Sequence, residues 1–139
     1  AMVQFMKSDQ YYGEYRISQM LPDLTLLPTG RSCLVYEGKA KQEDYDAAAD
    51  ALEKAKELLH SGKYDMVIMD EVNVAVHMGL VDVDKVVDVI KGRPPRVELV
   101  LTGRYAPQEV LDLADLVTEM RMIKHPYEKG IKARDGIER

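Results

Sequence analysis

The stretch YDMVIMDEVNVAVHMG, residues 64–79, decides the fold class and raises the question of function. Four apolar residues, Met66 to Met69, run directly into the carboxylates of Asp70 and Glu71. An apolar run of this length, followed by charged residues, predicts a strand buried on both faces. Carboxylate oxygens are ligands that Mg²⁺ prefers, so a strand ending in acid indicates one half of a magnesium–nucleotide site.

Apolar periodicity predicts two longer helices around this strand. The first covers residues 43–60 and has one apolar face, formed by Tyr45, Ala48, Leu52, Ala55 and Leu59. The second runs from the N-cap Asp82 to Lys91 and is ended by Gly92, with Val83, Val86, Val87 and Ile90 facing inward.

Shorter elements complete an alternating pattern. Strands are expected near residue 1 (AMVQFMKS), at 24–27, at 97–103 and at 116–123. Short helices are expected in 11–21, with apolar spacing at Tyr15, Ile17, Met20 and Leu21, after Glu71 up to Gly79, and after Pro107. The pattern predicts a single α/β domain, residues 1–139, with a doubly wound and mostly parallel sheet. Residues 125–139 are expected to form a surface tail.

The composition of the chain limits the classes of partner and the cellular location that are expected. A chain of 139 residues has the length of a single domain. Its net charge of −5 argues against nucleic acid as a partner, because nucleic acid is bound by basic surfaces. No apolar run approaches the ~20 residues of a membrane span. A single cysteine, Cys33, excludes an internal disulfide and predicts a cytoplasmic protein. A core strand that begins at residue 1 leads us to expect a further segment upstream.

Polar residues follow three of the predicted strands, where open parallel sheets bind their ligands. These strand ends are Lys7-Ser8, Asp70-Glu71 and Thr102-Gly103-Arg104. The chemistry fits a phosphate-rich ligand, because a metal on the carboxylates bridges phosphates and an arginine fork binds them directly. Gly103 would allow a close approach to the ligand. Alternatively, these are ordinary polar loops and Arg104 forms a surface ion pair.

The phosphate loop that such a site needs is absent from the chain. Its pattern is G-x-x-x-x-G-K-[ST]. The two Gly-Lys pairs, Gly38-Lys39 and Gly62-Lys63, are followed by Ala and Tyr, and neither has a glycine five positions earlier. The sequence therefore predicts the metal side of a nucleotide site without its phosphate side.

The remaining reactive residues form no further motif. His60, His77 and His125 lack metal-ligand spacing, and His77 is expected to pack on a helix. Cys33 has no CxxC partner or neighbouring histidine, which indicates a plain thiol rather than a nucleophile.

Residues 64–139 closely resemble the C-terminal part of the P-loop type of ATP:corrinoid adenosyltransferase. The matching motifs are MDE, GRPP, LTGR.AP.E...LADLVTEM and the closing KHP...GIKA..GIE. VQFMK and Gly13-Glu14 match near the start, so the resemblance covers nearly the whole chain.

The resemblance implies a RecA-like P-loop NTPase fold that lacks its first strand, phosphate loop and first helix. It implies transfer of the 5′-deoxyadenosyl group of ATP to cob(I)alamin or a corrinoid precursor, as cobalt(I) attacks the 5′ carbon and triphosphate leaves. Mg²⁺ or Mn²⁺, a homodimer and a reductase that supplies electrons to cobalt are further implications.

The resemblance also implies residue roles. Asp70 and Glu71 would hold the metal, and Glu71 and Arg104 would act in catalysis. Lys124 and Lys132 would contribute to the nucleotide site from the closing tail, while Lys7, Ser8, Thr102 and Gly103 are nucleotide-binding candidates because they follow predicted strands. The tail, residues 125–139, would close over the site.

Two departures from the family pattern leave alternatives open. The phosphate loop is expected upstream of VQF, and a Phe-Thr-Trp wedge that displaces the lower cobalt ligand is replaced after PTG by Arg31-Ser32-Cys33-Leu34. The chain is then part of an adenosyltransferase, a corrinoid- or nucleotide-binding paralogue without transfer activity, or an α/β scaffold of another role.

Overall fold

The computed structural model of the protein describes residues 1–8, 13–31, 35, 38–134 and 137. Its elements are β1 (Met2–Gln4), α1 (Gly13–Ser18), β2 (Leu26–Pro28), α2 (Gln42–His60), β3 (Met66–Asp70), α3 (Val72–His77), α4 (Val83–Gly92), β4 (Glu98–Leu101), α5 (Gln108–Leu113) and a 3₁₀ turn (Pro126–Lys129). The residues that replace the wedge after Arg31, which are Ser32, Cys33 and Leu34, lie outside the described residues.

The four strands form one parallel sheet in the order β2-β1-β3-β4. Met2 of β1 pairs with Leu26 of β2 on one side and with Ile68 of β3 on the other, and Met69 of β3 pairs with Leu101 of β4. All pairs are parallel, so the helices between strands are crossovers that cover the sheet. The predicted α/β, doubly wound, parallel architecture is confirmed.

Apolar side chains of the central strands and of α2 form the core. Val3, Val67 and Met69 are fully buried, as are Phe5 and Val72 just beyond the strands. The predicted face of α2 is buried at Ala48, Leu52, Ala55 and Leu59, to which the structure adds Ala51. Parallel strands need such cover on both faces.

The first turn of α2 differs from the prediction. Tyr45 is 40% exposed, and the neighbouring Asp44 is buried instead. The carboxylate can be buried because Arg31 binds it, as described below.

Helix α4 begins as predicted. Asp82 is the N-cap, and its side chain accepts a hydrogen bond from the N–H of Asp84 at 3.1 Å. The buried residues are Val86 and Val89, whereas the predicted Val83, Val87 and Ile90 are only half-buried.

The first helix is present, but the apolar spacing of this segment does not correspond to a buried face. Ile17, Met20 and Leu21 are 51%, 76% and 47% exposed, and Ser18 is the buried residue of α1. Three-residue β2 also begins two positions later than expected, at Leu26. No described element covers this face of the helix, so its spacing alone could not bury it.

The strand predicted for residues 116–123 was also wrong. These residues form no strand, and their large apolar side chains lie 54–94% exposed at Leu116, Val117, Met120, Met122 and Ile123. A strand needs a neighbour for its backbone N–H and C=O groups. Among the described residues, β4 pairs only with β3, and nothing pairs with 116–123.

The described residues of the C-terminal tail lie at the surface. Residues 125–134 are all exposed, and the 3₁₀ turn ends at Gly130 with a φ of 71°. No helix in the described part of the chain combines the length and apolar character that crossing a membrane requires.

Candidate functional site

The turn between β3 and α3 presents the two adjacent carboxylates. Asp70 is the last residue of β3, and Glu71 directly precedes α3 with φ 64° and ψ 17°. This left-handed conformation is uncommon for a residue with a side chain. Such backbone strain is held in place by the surrounding structure and clusters at functional sites. The turn between the two neighbouring acids is therefore held in an uncommon backbone conformation by the rest of the fold.

Thr102, just beyond β4, ties this turn to the adjacent strand. Its hydroxyl donates to Asp70 Oδ1 at 2.9 Å and accepts from the N–H of Glu71 at 3.0 Å. Its own N–H donates to the carbonyl of Met69 at 3.1 Å, and its carbonyl accepts from the N–H of Asn73 at 3.2 Å. One residue thus uses four hydrogen bonds to fix both carboxylate-bearing positions.

The second oxygen of Asp70 faces β1. Gln4 Nε2 donates to Asp70 Oδ2 at 3.3 Å, and Lys7 Nζ lies 3.5 Å from the same oxygen. Lys7 Nζ is also 3.5 Å from a carboxylate oxygen of Glu14. Within the described residues, both oxygens of Asp70 have donors, whereas the carboxylate of Glu71 has no hydrogen bond or ion pair. Glu71 therefore presents the less engaged carboxylate of the two.

Gly103 is required by a close approach of two backbone segments. Its φ is 119°, and a Cβ there would lie 3.2 Å from Val74 N, 3.2 Å from Asn73 Cβ and 3.3 Å from Glu71 Cα. Larger residues rarely adopt this φ. The glycine lets the loop after β4 pack on the turn after β3, so it acts on the shape of the site through the protein's own backbone.

Two buried polar atoms at the strand ends lack hydrogen-bond partners in the described part of the chain. They are Ser8 Oγ, after β1, and Asn73 Oδ1, in the first turn of α3. The Asn73 side chain has one long contact, from Nδ2 to the carbonyl of Gly103 at 3.5 Å. Unsatisfied buried acceptors are costly and rare in folded proteins. The sequence prediction included Ser8 but missed Asn73 and Gln4, whose signal is an amide inside an otherwise apolar run.

A third group contains Arg104, Tyr105 and His77. The Tyr105 ring stacks on the His77 ring, with centroids 4.2 Å apart and an interplanar angle of 28°. The guanidinium carbon of Arg104 lies 5.6 Å from the Tyr105 centroid. The predicted surface ion pair of Arg104 is not observed among the described residues. His77 is exposed and packs on Tyr105, a residue that the sequence did not single out.

Lys124 and Lys132 are not brought to the strand ends. Both are exposed, and neither side chain forms a hydrogen bond or ion pair within the described ranges. The same ranges contain no group of three or more His, Cys, Asp or Glu side chains arranged for a metal ion. Mg²⁺ is commonly bound by one or two carboxylates together with substrate phosphates and water, which the pair Asp70–Glu71 fits.

Arg31, the first of the residues that replace the wedge in the sequence, is held by an ion pair. Arg31 donates to both carboxylate oxygens of Asp44, at 2.6 Å and 2.7 Å, and to Glu43 at 2.9 Å. The N–H of Lys41 also donates to Asp44, at 2.8 Å. The hydrogen bonds from Arg31, and then that from Lys41, hold the pKa of Asp44 below its ordinary value. Arg31 is thus used to anchor α2.

Comparison with known proteins decides the family. The model of the family "ATP:corrinoid adenosyltransferase BtuR/CobO/CobP" matches residues 1–139. The chain belongs to this family. Its MDE and LTGR motifs lie at the ends of β3 and β4, the two strands that Thr102 connects.

Individual corrinoid adenosyltransferases match over nearly the whole chain. The chain is 39% identical to that of a Sinorhizobium species over 140 residues, and 33% identical to that of Pseudomonas aeruginosa over 137 residues. It is 29% identical to the enzyme of Salmonella typhimurium over 138 residues. Each match covers 99% of the chain but only 65%, 68% and 69% of the relative. The chain therefore spans about two thirds of the length of these relatives.

Proposed function

We propose that this chain forms the metal-binding side of an enzyme that transfers the 5′-deoxyadenosyl group of ATP to the reduced cobalt of a corrinoid. In this reaction the electron pair of cobalt(I) forms a bond to C5′ of ATP. The C5′–O bond breaks, and its electron pair leaves with triphosphate. The activity belongs to cobalamin biosynthesis or salvage, with cobalamin or a precursor such as cobyrinic acid a,c-diamide as the corrinoid.

The observation that carries the proposal is the unequal engagement of the two acids after β3. Asp70 is bonded to Thr102 and Gln4 and faces Lys7, whereas the Glu71 carboxylate is free of described partners. Family membership, together with this free carboxylate at the carboxyl edge of a parallel sheet, supports a site for a metal–nucleotide complex.

The residues present fit a divalent metal, Mg²⁺ or Mn²⁺. Glu71 would bind it directly, and Asp70 would act through a metal-bound water because its own oxygens already accept hydrogen bonds. The metal would neutralise negative charge on the departing triphosphate. Lys7 is 3.5 Å from Asp70, so its cation balances the acid until the metal is present.

Arg104 and the strand-end backbone would bind the triphosphate. The exposed guanidinium offers a fork of donors suited to phosphate oxygens. Ser8, Thr102 and Gly103 would shape the nucleotide side of the site. Lys124 and Lys132 would reach it when the tail, residues 125–139, closes and excludes water from cobalt and C5′.

The proposal also covers the partners of the protein and its cellular location. We propose a homodimer, a reductase that delivers the electrons for cobalt(I), and a phosphate loop supplied by a segment outside this chain. A cytoplasmic location remains a prediction from the cysteine content. The residues after Arg31 replace the Phe-Thr-Trp wedge, so another part of the protein would displace the lower cobalt ligand.

The test uses the protein as its gene encodes it. The reading frame upstream of AMVQF is determined first, to establish whether a G-x-x-x-x-G-K-[ST] segment exists. Adenosylation of a chemically reduced corrinoid is then followed with ATP and Mg²⁺. We expect transfer by the wild-type protein and a loss of roughly 100-fold in kcat for Glu71→Gln, because removing one preorganised electrostatic group typically costs this much.

A matched variant distinguishes the loss of a carboxylate in the site from the loss of a carboxylate elsewhere on the surface. Glu109→Gln changes an exposed glutamate in the first turn of α5 and should leave kcat unchanged. Unaltered turnover in Glu71→Gln would remove Glu71 from the mechanism. If the wild-type protein binds corrinoid or ATP without transfer, the chain belongs to a non-catalytic paralogue.

A further inference from the structure

Arg104 has an unusual environment for a surface arginine. Its side chain is exposed and forms no hydrogen bond or ion pair with the described part of the chain, and its guanidinium carbon lies 5.6 Å from the centroid of the Tyr105 ring. An aromatic face attracts a cation at this distance. A guanidinium that lies over a ring keeps its in-plane N–H donors free for other acceptors.

Tyr105 occupies its position at a conformational cost. Its φ is 64°, a region that favours glycine or asparagine, and its side chain is 60% exposed. Core packing therefore does not explain why a large aromatic residue stands here. The ring is held by His77, whose own ring lies 4.2 Å away on α3. Since α3 directly follows Glu71, this stack connects the loop carrying Arg104 to the turn carrying the acids.

We propose that Tyr105 is a positioning residue that directs the Arg104 guanidinium toward the triphosphate of ATP, with His77 fixing the Tyr105 ring. The inference rests on the proposed function, in which Arg104 binds triphosphate. An unsupported arginine would sample many rotamers in solvent and lose that freedom on binding. The stack removes part of this freedom in advance, which strengthens phosphate binding without a direct contact between Tyr105 and the ligand.

The alternative role for an exposed aromatic side chain is direct stacking on a flat ligand such as adenine. The stack on His77 and the nearby guanidinium leave less of the Tyr105 ring free for this. A residue that positions Arg104 affects phosphate binding whether or not the ligand carries a nucleoside. A residue that stacks on adenine affects only ligands that contain adenine. Inorganic tripolyphosphate is therefore the discriminating probe.

The experiment measures tripolyphosphate binding to the protein as its gene encodes it, by calorimetry with Mg²⁺, and the KM and kcat for ATP. Tyr105→Gly removes the ring and suits the observed φ, so the thermal midpoint should not fall. We expect it to weaken tripolyphosphate binding and to raise the KM for ATP by the same roughly threefold to tenfold. Tyr105→Phe keeps the ring and should retain the wild-type affinity.

A double-mutant cycle with Arg104→Gln tests whether Tyr105 acts through Arg104. In the Arg104→Gln background, Tyr105→Gly should weaken tripolyphosphate binding no further. His77→Ala should weaken tripolyphosphate binding, but by less than Tyr105→Gly does. His77→Phe preserves the stacking and should retain the wild-type affinity for tripolyphosphate.

Three outcomes overturn the proposal. They are additive effects in the cycle, an increased KM for ATP with unchanged tripolyphosphate affinity, and no binding of tripolyphosphate by the wild-type protein. Failure of the proposed function looks different. A protein that binds tripolyphosphate with the predicted Arg104–Tyr105 coupling but does not adenosylate corrinoid would refute the transferase and support the positioning role.

Discussion

Thr102 and Asp70 are joined by a hydrogen bond of 2.9 Å from the threonine hydroxyl to Oδ1. The same hydroxyl accepts from the N–H of Glu71, so it satisfies one donor and one acceptor in a turn with positive φ. Because Thr102 follows β4 and Asp70 ends β3, the bond sets the relative position of two strand ends. The direction of the Asp70 carboxylate and the backbone position of Glu71 therefore depend on a neutral residue.

The variant Thr102→Val should affect both the stability of the protein and the rate of adenosyl transfer, and the two effects can be measured separately. Valine has the same shape but leaves the Glu71 N–H and Asp70 Oδ1 without partners, which costs about 1–3 kcal/mol of unfolding free energy. We expect a loss of roughly 100-fold in kcat for corrinoid adenosylation, because the Asp70 carboxylate and the Glu71 backbone lose their positions. Urea unfolding and the transfer assay measure the two effects.

Thr102→Ser is the control for this prediction, since it keeps the hydroxyl and removes one methyl group. It should retain most of the activity. Equal losses in the valine and serine variants would show that packing, and not the hydrogen bond, matters at this position.

Gly30→Ala should destabilise the protein through a backbone collision. A Cβ at Gly30 would overlap the backbone of Met6 and Lys7, and the Gly30 N–H already donates to the carbonyl of Lys7 at 2.7 Å. Neither segment can yield without moving the end of β1. We expect a loss of about 3 kcal/mol in unfolding free energy, the upper end for overpacking.

Gly92→Ala serves as the matched variant. A Cβ there meets nothing within 4 Å, and Gly92 is the last residue of α4. Alanine should leave stability unchanged or raise it by up to about 1 kcal/mol. If both substitutions have equal effects, the close approach at Gly30 is not the cause.

The ion pair of Arg31 with Asp44 should contribute stability that depends on pH. The pKa of Asp44 is lowered from its ordinary value of 3.8 in the folded protein, chiefly by the hydrogen bonds from Arg31. A depressed pKa means that the stabilisation is complete above the unfolded value and is lost as the pH falls through the folded value. The free-energy difference between wild type and Asp44→Asn should thus be largest at neutral pH and shrink below pH of about 4.

At pH 7 Asp44→Asn should cost about 3 kcal/mol, because it removes the buried carboxylate that accepts two hydrogen bonds from Arg31. Asp50→Asn is the comparison, since Asp50 also pairs with a cation, Lys54 at 2.6 Å, but in solvent. That change should alter stability by no more than about 0.5 kcal/mol. A pH-independent difference for Asp44→Asn would contradict the assigned pKa direction.

The tail should become protected when substrates bind. Residues 125–134 are exposed, so closure over the site would reduce hydrogen exchange there only when ATP and corrinoid are both present. Lys124→Gln and Lys132→Gln should each raise the KM for ATP roughly tenfold, the value of a charge-assisted hydrogen bond.

Lys129→Gln changes a cation in the 3₁₀ turn of the same tail and should leave the KM for ATP unchanged. Exchange that stays the same with both substrates present would show that the tail does not close. Equal effects of all three lysine substitutions would indicate general charge attraction and not two specific contacts.

The elements with strong local signals were predicted well. Helix α2 was expected at 43–60 and found at Gln42–His60, because its apolar spacing agrees with the core that it covers. Strand β3 and the acids after it were placed correctly, since an apolar run ending in charge has few alternatives in a parallel sheet. Side chains from the three strand ends lie in contact, at Lys7, Asp70 and Thr102, and their role as one ligand site stays a prediction.

Elements that depend on a neighbour were not predictable in this way. Residues 116–123 alternate like a strand, yet Met120 is 94% exposed because no described strand pairs with them. Ile17 on α1 and Met20 just after it have helical spacing, but both side chains are exposed. Periodicity indicates which side chains can share a face, whereas burial requires a second surface.

The sequence by itself determined the alternation of helices and strands, the acids after β3, the absence of a phosphate loop and the family motifs. These are local properties, fixed by the order of residues along the chain. Only the tertiary structure decided that Thr102 and Gln4 bind the Asp70 carboxylate while the Glu71 carboxylate has no partner among the described residues, and that the Tyr105 ring stacks on His77 near the Arg104 guanidinium. Those contacts join residues 28 to 66 positions apart, or depend on a left-handed backbone at Tyr105, and no spacing rule encodes either.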